Sequence, residues 1–115
     1  MRERIRDKSR LLHILDAIEK ALNFTKNVSF DEFVANIMLK YAVIKCVEII
    51  GEASYKLTKG FREQYSEIEW NKIISMRHIL VHGYYQTEDI FVWDTVKKSL
   101  PILKEQIQKI YDNFN

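Results

Sequence analysis

The chain has 115 residues, a net charge of +2 and one cysteine, Cys46. This length predicts a single domain over residues 1–115 and excludes a separate cofactor module. A lone cysteine excludes an intrachain disulfide and a multi-cysteine zinc site, and its apolar surroundings predict a buried thiol. No signal segment and no apolar run of about 18 residues is present, so we expect a cytoplasmic protein without membrane contact.

The first predicted element is an amphipathic helix over about residues 2–25, because its apolar residues recur at helical spacing. The helix begins with a run of basic residues offset only by Glu3 and Asp7. Such an end can meet nucleic-acid phosphate, or it can simply be a solvated helix start. The basic residues are Arg2, Arg4, Arg6, Lys8 and Arg10.

The second predicted helix begins at a capping box formed by Ser29 and Glu32. It is apolar on nearly all sides and is expected to run to about Leu57, as the central helix of a bundle would. Gly60 is expected to end it, and residues 60–69 read as a polar connection.

The third predicted helix runs from Trp70 to Val81 or His82, with Gly83 as its terminator. A fourth is expected to start at a Thr87 cap and to kink or restart at Pro101, since proline removes one helical hydrogen bond. The chain has few glycines and prolines and no alternating apolar pattern, so its sequence does not favour a β fold. The sequence therefore predicts an all-α antiparallel bundle of four or five helices.

One charged residue interrupts the apolar face of the third helix. Arg77 falls about 40° from Ile73 on a helical wheel, in the middle of that face. A guanidinium is costly to bury without a partner, so Arg77 must be paired, line a cleft or face a second subunit. On the second helix Glu48 lies inside an apolar stripe and Glu52 lies beside it. Either carboxylate could pair with Arg77 in a purely structural salt bridge.

Two histidines, His78 and His82, lie four residues apart on one face of the third helix. This spacing can bind zinc, but no Glu follows His78 and no third ligand is evident, so no metal site is predicted. Arg77 and His82 are about 140° apart on an ideal helix. They converge only if the last turn unwinds at Gly83 or if a second subunit supplies one of them.

The segment Arg77-His78-Ile79-Leu80-Val81-His82-Gly83-Tyr84 has the form Arg, four residues, His, one residue, Tyr. It resembles the motif of the HEPN superfamily, in the version found in HepT-like ribonuclease toxins. The similarity extends over essentially the whole chain. It includes Phe30-Asp31-Glu32-Phe33, Glu48-Ile49-Ile50-Gly51-Glu52-Ala53, Ile68-Glu69-Trp70, and the stretch from Val92-Trp93 to Leu100-Pro101.

The resemblance implies an all-α homodimer with two motifs in a cleft between subunits, acting as a metal-independent endoribonuclease without a cofactor. In that family reading His82 is the general acid or base and Arg77 stabilises the phosphate, chemistry that suits both residue types. The 2′-OH of RNA attacks, leaving a 2′,3′-cyclic phosphate and a 5′-hydroxyl. His78, Glu48 and Glu52 are expected to line the site.

The resemblance also implies a partner, a minimal nucleotidyltransferase antitoxin that transfers AMP from ATP to the motif tyrosine. Tyr84 is the expected acceptor, with the adjacent Tyr85 as a rival. The added anion beside Arg77 would repel an RNA phosphate. The alternative is a non-catalytic nucleotide-binding or docking partner of such a nucleotidyltransferase, because a matching motif does not by itself establish turnover.

Overall fold

The computed structural model describes residues 2–83 and 87–114, and these residues form helices without any β-strand. The all-α prediction is therefore confirmed. No helix in the described residues is long and apolar enough to cross a membrane. In chain order the helices are α1 (Arg2–Phe24), α2 (Phe30–Ala35), α3 (Ile37–Lys56), α4 (Lys59–Gln64), α5 (Trp70–Gly83), α6 (Asp89–Asp94) and α7 (Leu100–Asp112), with a π-helical segment (Thr95–Ser99) between α6 and α7.

Helix α3 is the centre of the bundle. It packs extensively against both α1 and α5, while α7 covers another side of α1. The core contains fully buried side chains from each of these layers, which fixes α1 and α5 relative to α3. Representative core residues are Leu11, Ile14, Ile18, Val43, Ile50, Leu80, Val96 and Ile107.

The predicted capping box is confirmed, but the helix that it starts is short. The Ser29 side chain accepts from the Glu32 N–H at 3.1 Å, and the Glu32 carboxylate accepts from the Ser29 N–H at 2.9 Å. The prediction of one helix to Leu57 is wrong, because Asn36 is extended (φ −107°, ψ 96°) and its side chain accepts from the Leu39 N–H. Asn competes with the helical backbone in this way, so α3 starts anew.

Gly60 does not end the second predicted helix. Helix α3 ends at Lys56, and Gly60 lies inside α4 within the stretch expected to be an irregular connection. The cause is Thr58, whose side chain accepts from the Phe61 N–H and caps α4. Thr58 also donates to the buried Asp7 carboxylate from its N–H (2.9 Å) and its hydroxyl (2.8 Å). This junction ties α4 to α1.

The start of the fourth predicted helix differs by one residue from the prediction. Glu88, not Thr87, is the N-cap residue of α6, and the Thr87 hydroxyl donates to the Gly83 carbonyl at 3.2 Å. Asp89 in the first turn of α6 pairs with Lys40 of α3 at 3.0 Å. This ion pair holds the chain after residues 84–86 against α3.

The chain stays helical through Pro101 rather than restarting there, and the expected irregularity is a π turn before the proline. The Leu100 N–H bonds to the Thr95 carbonyl five residues earlier, which defines a π turn just before the proline. Pro101 then occupies the first turn of α7.

Two basic residues at the start of α1 and two in the π-helical segment make structural contacts. The Arg4 guanidinium lies 4.5 Å from the Phe114 ring centroid, and the Lys8 ammonium lies 5.5 Å from that of Tyr111. Lys97 donates to the Thr25 carbonyl at 2.7 Å, and Lys98 pairs with Asp94 at 3.6 Å. These residues give no support to nucleic-acid binding.

Candidate active-site groove

Helices α3 and α5 come into backbone-close contact at Gly51 and Arg77. A Cβ placed on Gly51 would overlap the Arg77 Cβ and would lie 3.2 Å from the Ile73 carbonyl oxygen. Only glycine lets α5 approach this closely. The contact fixes where the Arg77 side chain leaves α5, at the edge of α3.

Arg77 is paired with Glu52, one of the two predicted carboxylates. The guanidinium Nη2 lies 2.8 Å from the Glu52 Oε2, and the two side chains keep 34% and 42% of their surface exposed. Lys56 approaches the other Glu52 oxygen at 3.4 Å. Arg77 therefore lies on the packing face of α5, as the helical wheel predicts, and it is both paired and at the edge of a groove. About a third of the Arg77 side chain is exposed, so an anion can reach it.

Arg77 lines a concave groove of about 310 Å³. The outer face of α3 is its floor, and α1 and α5 are its walls. Glu48 and Glu52 both line the groove, as predicted, but Glu48 makes no ion pair within residues 2–83 and 87–114. The groove is lined by Arg10, His13, Lys45, Glu48, Ile49, Glu52, Ala53, Lys56, Arg77 and Val81.

The apolar stripe around Glu48 in the sequence consists of Ile37, Tyr41, Ile44 and Tyr55, and only Ile44 among these four belongs to the core. Tyr41 and Tyr55 are 51% and 57% exposed, and Ile37 is 63% exposed. Glu48 therefore interrupts a mostly exposed stripe, which removes the apparent conflict of a carboxylate inside an apolar face. On α5, Ile79 and Val81 are also about half exposed. Of these exposed apolar residues, Val81 lines the charged groove.

His82 does not line this groove in the part of the chain described. It is exposed, and its ring packs on His78 with centroids 4.6 Å apart. Helix α5 stays helical through Gly83, so unwinding of the turn at His82 does not occur. The structure of a single chain therefore does not bring Arg77 and His82 together. Tyr84 and Tyr85 lie outside the described residues.

The sequence prediction missed two groove residues on α1, Arg10 and His13. The sequence patterns gave no site role to His13, and they placed Arg10 among the charges at a helix start. Both line the groove opposite Arg77. Their spacing of three residues places them on one helix face, which is the signal that could have paired them. The sequence did not show which helix lies beside that face of α1, so it did not show the groove.

The groove combines cationic side chains with an exposed edge suited to a phosphate ligand. Arg77 can offer two parallel N–H donors to phosphate oxygens, and the neighbouring cations strengthen the local positive potential. Among the described residues no three His, Cys, Asp or Glu side chains are grouped as a metal site would require.

The chain is similar to known ribonuclease families over most of its length. Residues 14–110 match the family described as "Ribonuclease HepT-like". A Methanocaldococcus jannaschii protein named "Putative RNase MJ1216" is 40% identical over 90% of this chain and 85% of its own length. A Thermococcus cleftensis protein named "Probable ribonuclease HepT" is 36% identical over 90% and 94%. No solved structure is significantly similar. The chain belongs to the HepT-like ribonuclease family, as its sequence motif predicts.

Proposed function

We propose that the protein is a metal-independent endoribonuclease whose reaction centre is built around Arg77. The observation that carries this proposal is the partly exposed Arg77 side chain in a concave groove, within a chain whose relatives bear ribonuclease names. RNA supplies its own nucleophile, the 2′-OH, so the protein must move protons and stabilise charge.

The proposed reaction is transesterification at one phosphodiester. A histidine takes the 2′-OH proton, the 2′-oxygen bonds to phosphorus, and the bond from phosphorus to the 5′-oxygen breaks. A second proton donor protonates the departing 5′-oxygen. Arg77 stabilises the added negative charge on the phosphorane. The products are a 2′,3′-cyclic phosphate and a 5′-hydroxyl, and His82 is the proposed acid or base.

A homodimer would bring the motif residues together. Arg77 and His82 project from different faces of the regular helix α5, so one chain alone leaves them apart. The exposed apolar side chains that border the groove support a self-association surface, since large exposed apolar patches mark interfaces. Ile49 and Val81, which line the groove, are 38% and 40% exposed, and Tyr55 of α3 is 57% exposed. In such a dimer two histidines could divide the acid and base roles.

Tyr84 is the proposed site at which a minimal nucleotidyltransferase antitoxin silences the toxin. Its phenol oxygen would bond to the α-phosphorus of ATP, the bond between the α and β phosphates would break, and pyrophosphate and the phenol proton would leave. The attached AMP would place an anion two residues after His82, near the phosphate-binding charge. Repulsion of the RNA phosphate would then block cleavage.

The ion pair between Arg77 and Glu52 favours one rival reading, in which Arg77 is only a structural charge. Exposed pairs contribute about 0–1 kcal/mol to stability, so a purely structural role predicts little loss of function and a small loss of stability. Removal of Arg77 should therefore abolish cleavage if Arg77 is catalytic, and should only lower stability slightly if Arg77 is structural.

The test is cleavage of end-labelled RNA in EDTA by wild type, Arg77→Ala and His82→Ala proteins, each first measured by intact mass to exclude AMP-modified samples. Arg6→Ala, an exposed α1 arginine outside the groove, is the matched control. We expect wild type and the control to leave cyclic phosphate ends and the two site variants to be inactive. Full cleavage by either site variant would contradict the assignment. No cleavage by unmodified wild type across several RNAs would favour the docking function instead.

A further inference from the structure

We propose that Arg10 and His13 of α1, together with Lys45 and Lys56 of α3, form a subsite for the sugar-phosphate backbone of single-stranded RNA beside Arg77. The proposal rests on the ribonuclease function above and adds to it a binding track outside the Arg-His motif. All four side chains line the same groove as Arg77.

The charge balance of the groove favours an anionic ligand. Four permanent cations and two carboxylates line it, along with His13. Among the described residues Arg10 and Lys45 make no ion pair, whereas Glu52 is shared by Arg77 and Lys56. With Glu48 and Glu52 both counted, the lining of the groove keeps a net charge of +2. A concave surface concentrates such a potential.

The length of the charged track favours a polymer over a single phosphate. Lys45 and Lys56 are eleven residues apart on α3, which corresponds to about 16 Å along the helix axis. Arg10 and His13 lie one turn apart on the facing wall. One phosphate held by Arg77 leaves Arg10 and Lys45, which make no ion pair among the described residues, for neighbouring phosphates of the same strand. Contacts of this type are independent of base sequence.

The groove also contains apolar residues against which a ribose or a base can pack. Ile49 and Val81 are 38% and 40% exposed, and they line the groove among the charged residues. A single strand presents both its phosphates and its apolar faces to such a surface. An acidic protein segment would contact the cations but would not need apolar residues between them. We therefore propose RNA as the ligand.

The experiment measures binding of a fluorescent 2′-O-methyl RNA oligonucleotide, which keeps the phosphates but lacks the attacking hydroxyl. Affinity is measured by anisotropy across a salt series, for wild type, Lys45→Gln and Arg10→Gln/Lys45→Gln. Lys45 is exposed, so the single variant tests the subsite without a risk to folding. The matched control is Lys104→Gln/Lys109→Gln, which removes the same charge from α7 outside the groove.

Each lost phosphate contact should reduce the slope of log affinity against log salt by about 0.7. We therefore expect a reduction of about 0.7 for the single variant and about 1.4 for the double variant, with no change in the control. Equal slopes in wild type and the double variant, an equal loss in the control, or no binding by wild type would each overturn the proposal.

The outcome separates this proposal from the nuclease assignment. Because the oligonucleotide cannot be cleaved, the expected slopes in a wild type that cleaves no RNA support the subsite and reject the nuclease. Metal-independent cleavage together with an unchanged slope in the double variant rejects the subsite and keeps the nuclease. Binding of an acidic peptide, but not of the oligonucleotide, rejects the subsite in favour of a protein partner.

Discussion

Gly51 of α3 lies directly against the Cβ of Arg77 on α5, so the position of the candidate catalytic guanidinium depends on a residue with no side chain. The next residue of α3, Glu52, then reaches the Arg77 guanidinium at 2.8 Å. The residue that sets the helix crossing and the residue that pairs with Arg77 are therefore adjacent on α3. The same local geometry serves both stability and the site.

Gly51→Ala should destabilise the protein and displace Arg77. The added methyl would overlap the Arg77 Cβ and crowd the Ile73 carbonyl, so α5 must move away from α3. Overpacking of this kind costs about 1–3 kcal/mol. Urea unfolding gives the free energy of unfolding, and RNA cleavage should fall along with it.

Gly60→Ala is the matched control for that substitution. Gly60 lies in α4, and a Cβ there meets no atom of the described residues within 4 Å. Alanine favours helix over glycine by up to about 1 kcal/mol, so stability should stay the same or rise. Equal destabilisation by both alanines would show that the contact between Gly51 and Arg77 is not what matters.

Glu52→Gln should separate positioning of Arg77 from the charge of the groove. The pair is partly exposed, so stability should fall by less than about 1 kcal/mol. Removal of a carboxylate leaves the groove more positive, which should lower KM for RNA. Loss of the partner that orients Arg77 should lower kcat. Glu63→Gln, which breaks an exposed pair with Lys59 on α4, should change neither parameter. Unchanged kcat and KM in Glu52→Gln would mean that Glu52 does not position Arg77.

Features set by a few neighbouring residues were predictable from the sequence. The Ser29 and Glu32 capping box forms as expected, and α1 begins and ends within a residue of the prediction, because both depend on local hydrogen bonds and apolar spacing. Asn36 was overlooked because its side chain competes with the backbone at one position only, inside an otherwise continuous apolar pattern.

Features set by helix crossing were only partly predictable. The sequence identified Arg77 as misplaced and proposed Glu48 or Glu52 as its partner, but the choice depends on the register of α5 against α3. That register is set at Gly51, whose contact is invisible on a helical wheel. His13 was missed for the same reason, since the groove exists only once α1 has packed beside α3.

Asp7→Ala should lower the free energy of unfolding. The Asp7 carboxylate is 4% exposed and accepts two hydrogen bonds from Thr58, which joins α1 to the start of α4. Leaving buried donors without an acceptor costs about 1–3 kcal/mol. Asp7→Asn keeps one acceptor and should lose less. Asp16→Ala, which removes an exposed pair with Lys20, should leave the urea midpoint unchanged. Unchanged stability of Asp7→Ala would show that Thr58 caps α4 without help from α1.

Cys46 should be unreactive toward a thiol reagent until the protein unfolds. It is 4% exposed, and burial raises the pKa of its thiol, which lowers the fraction of reactive thiolate. Unfolding returns the thiol to its ordinary pKa of 9.0, so the unfolded state loses the proton first and stability should fall as the pH rises past that value. Labelling is measured with Ellman's reagent in buffer and in urea. A control with Cys46→Ala and Ser66→Cys places the thiol on an exposed turn, where it should react at once in both conditions. Fast native labelling of Cys46 would mean that α3 opens locally, and the groove that it floors would then open with it.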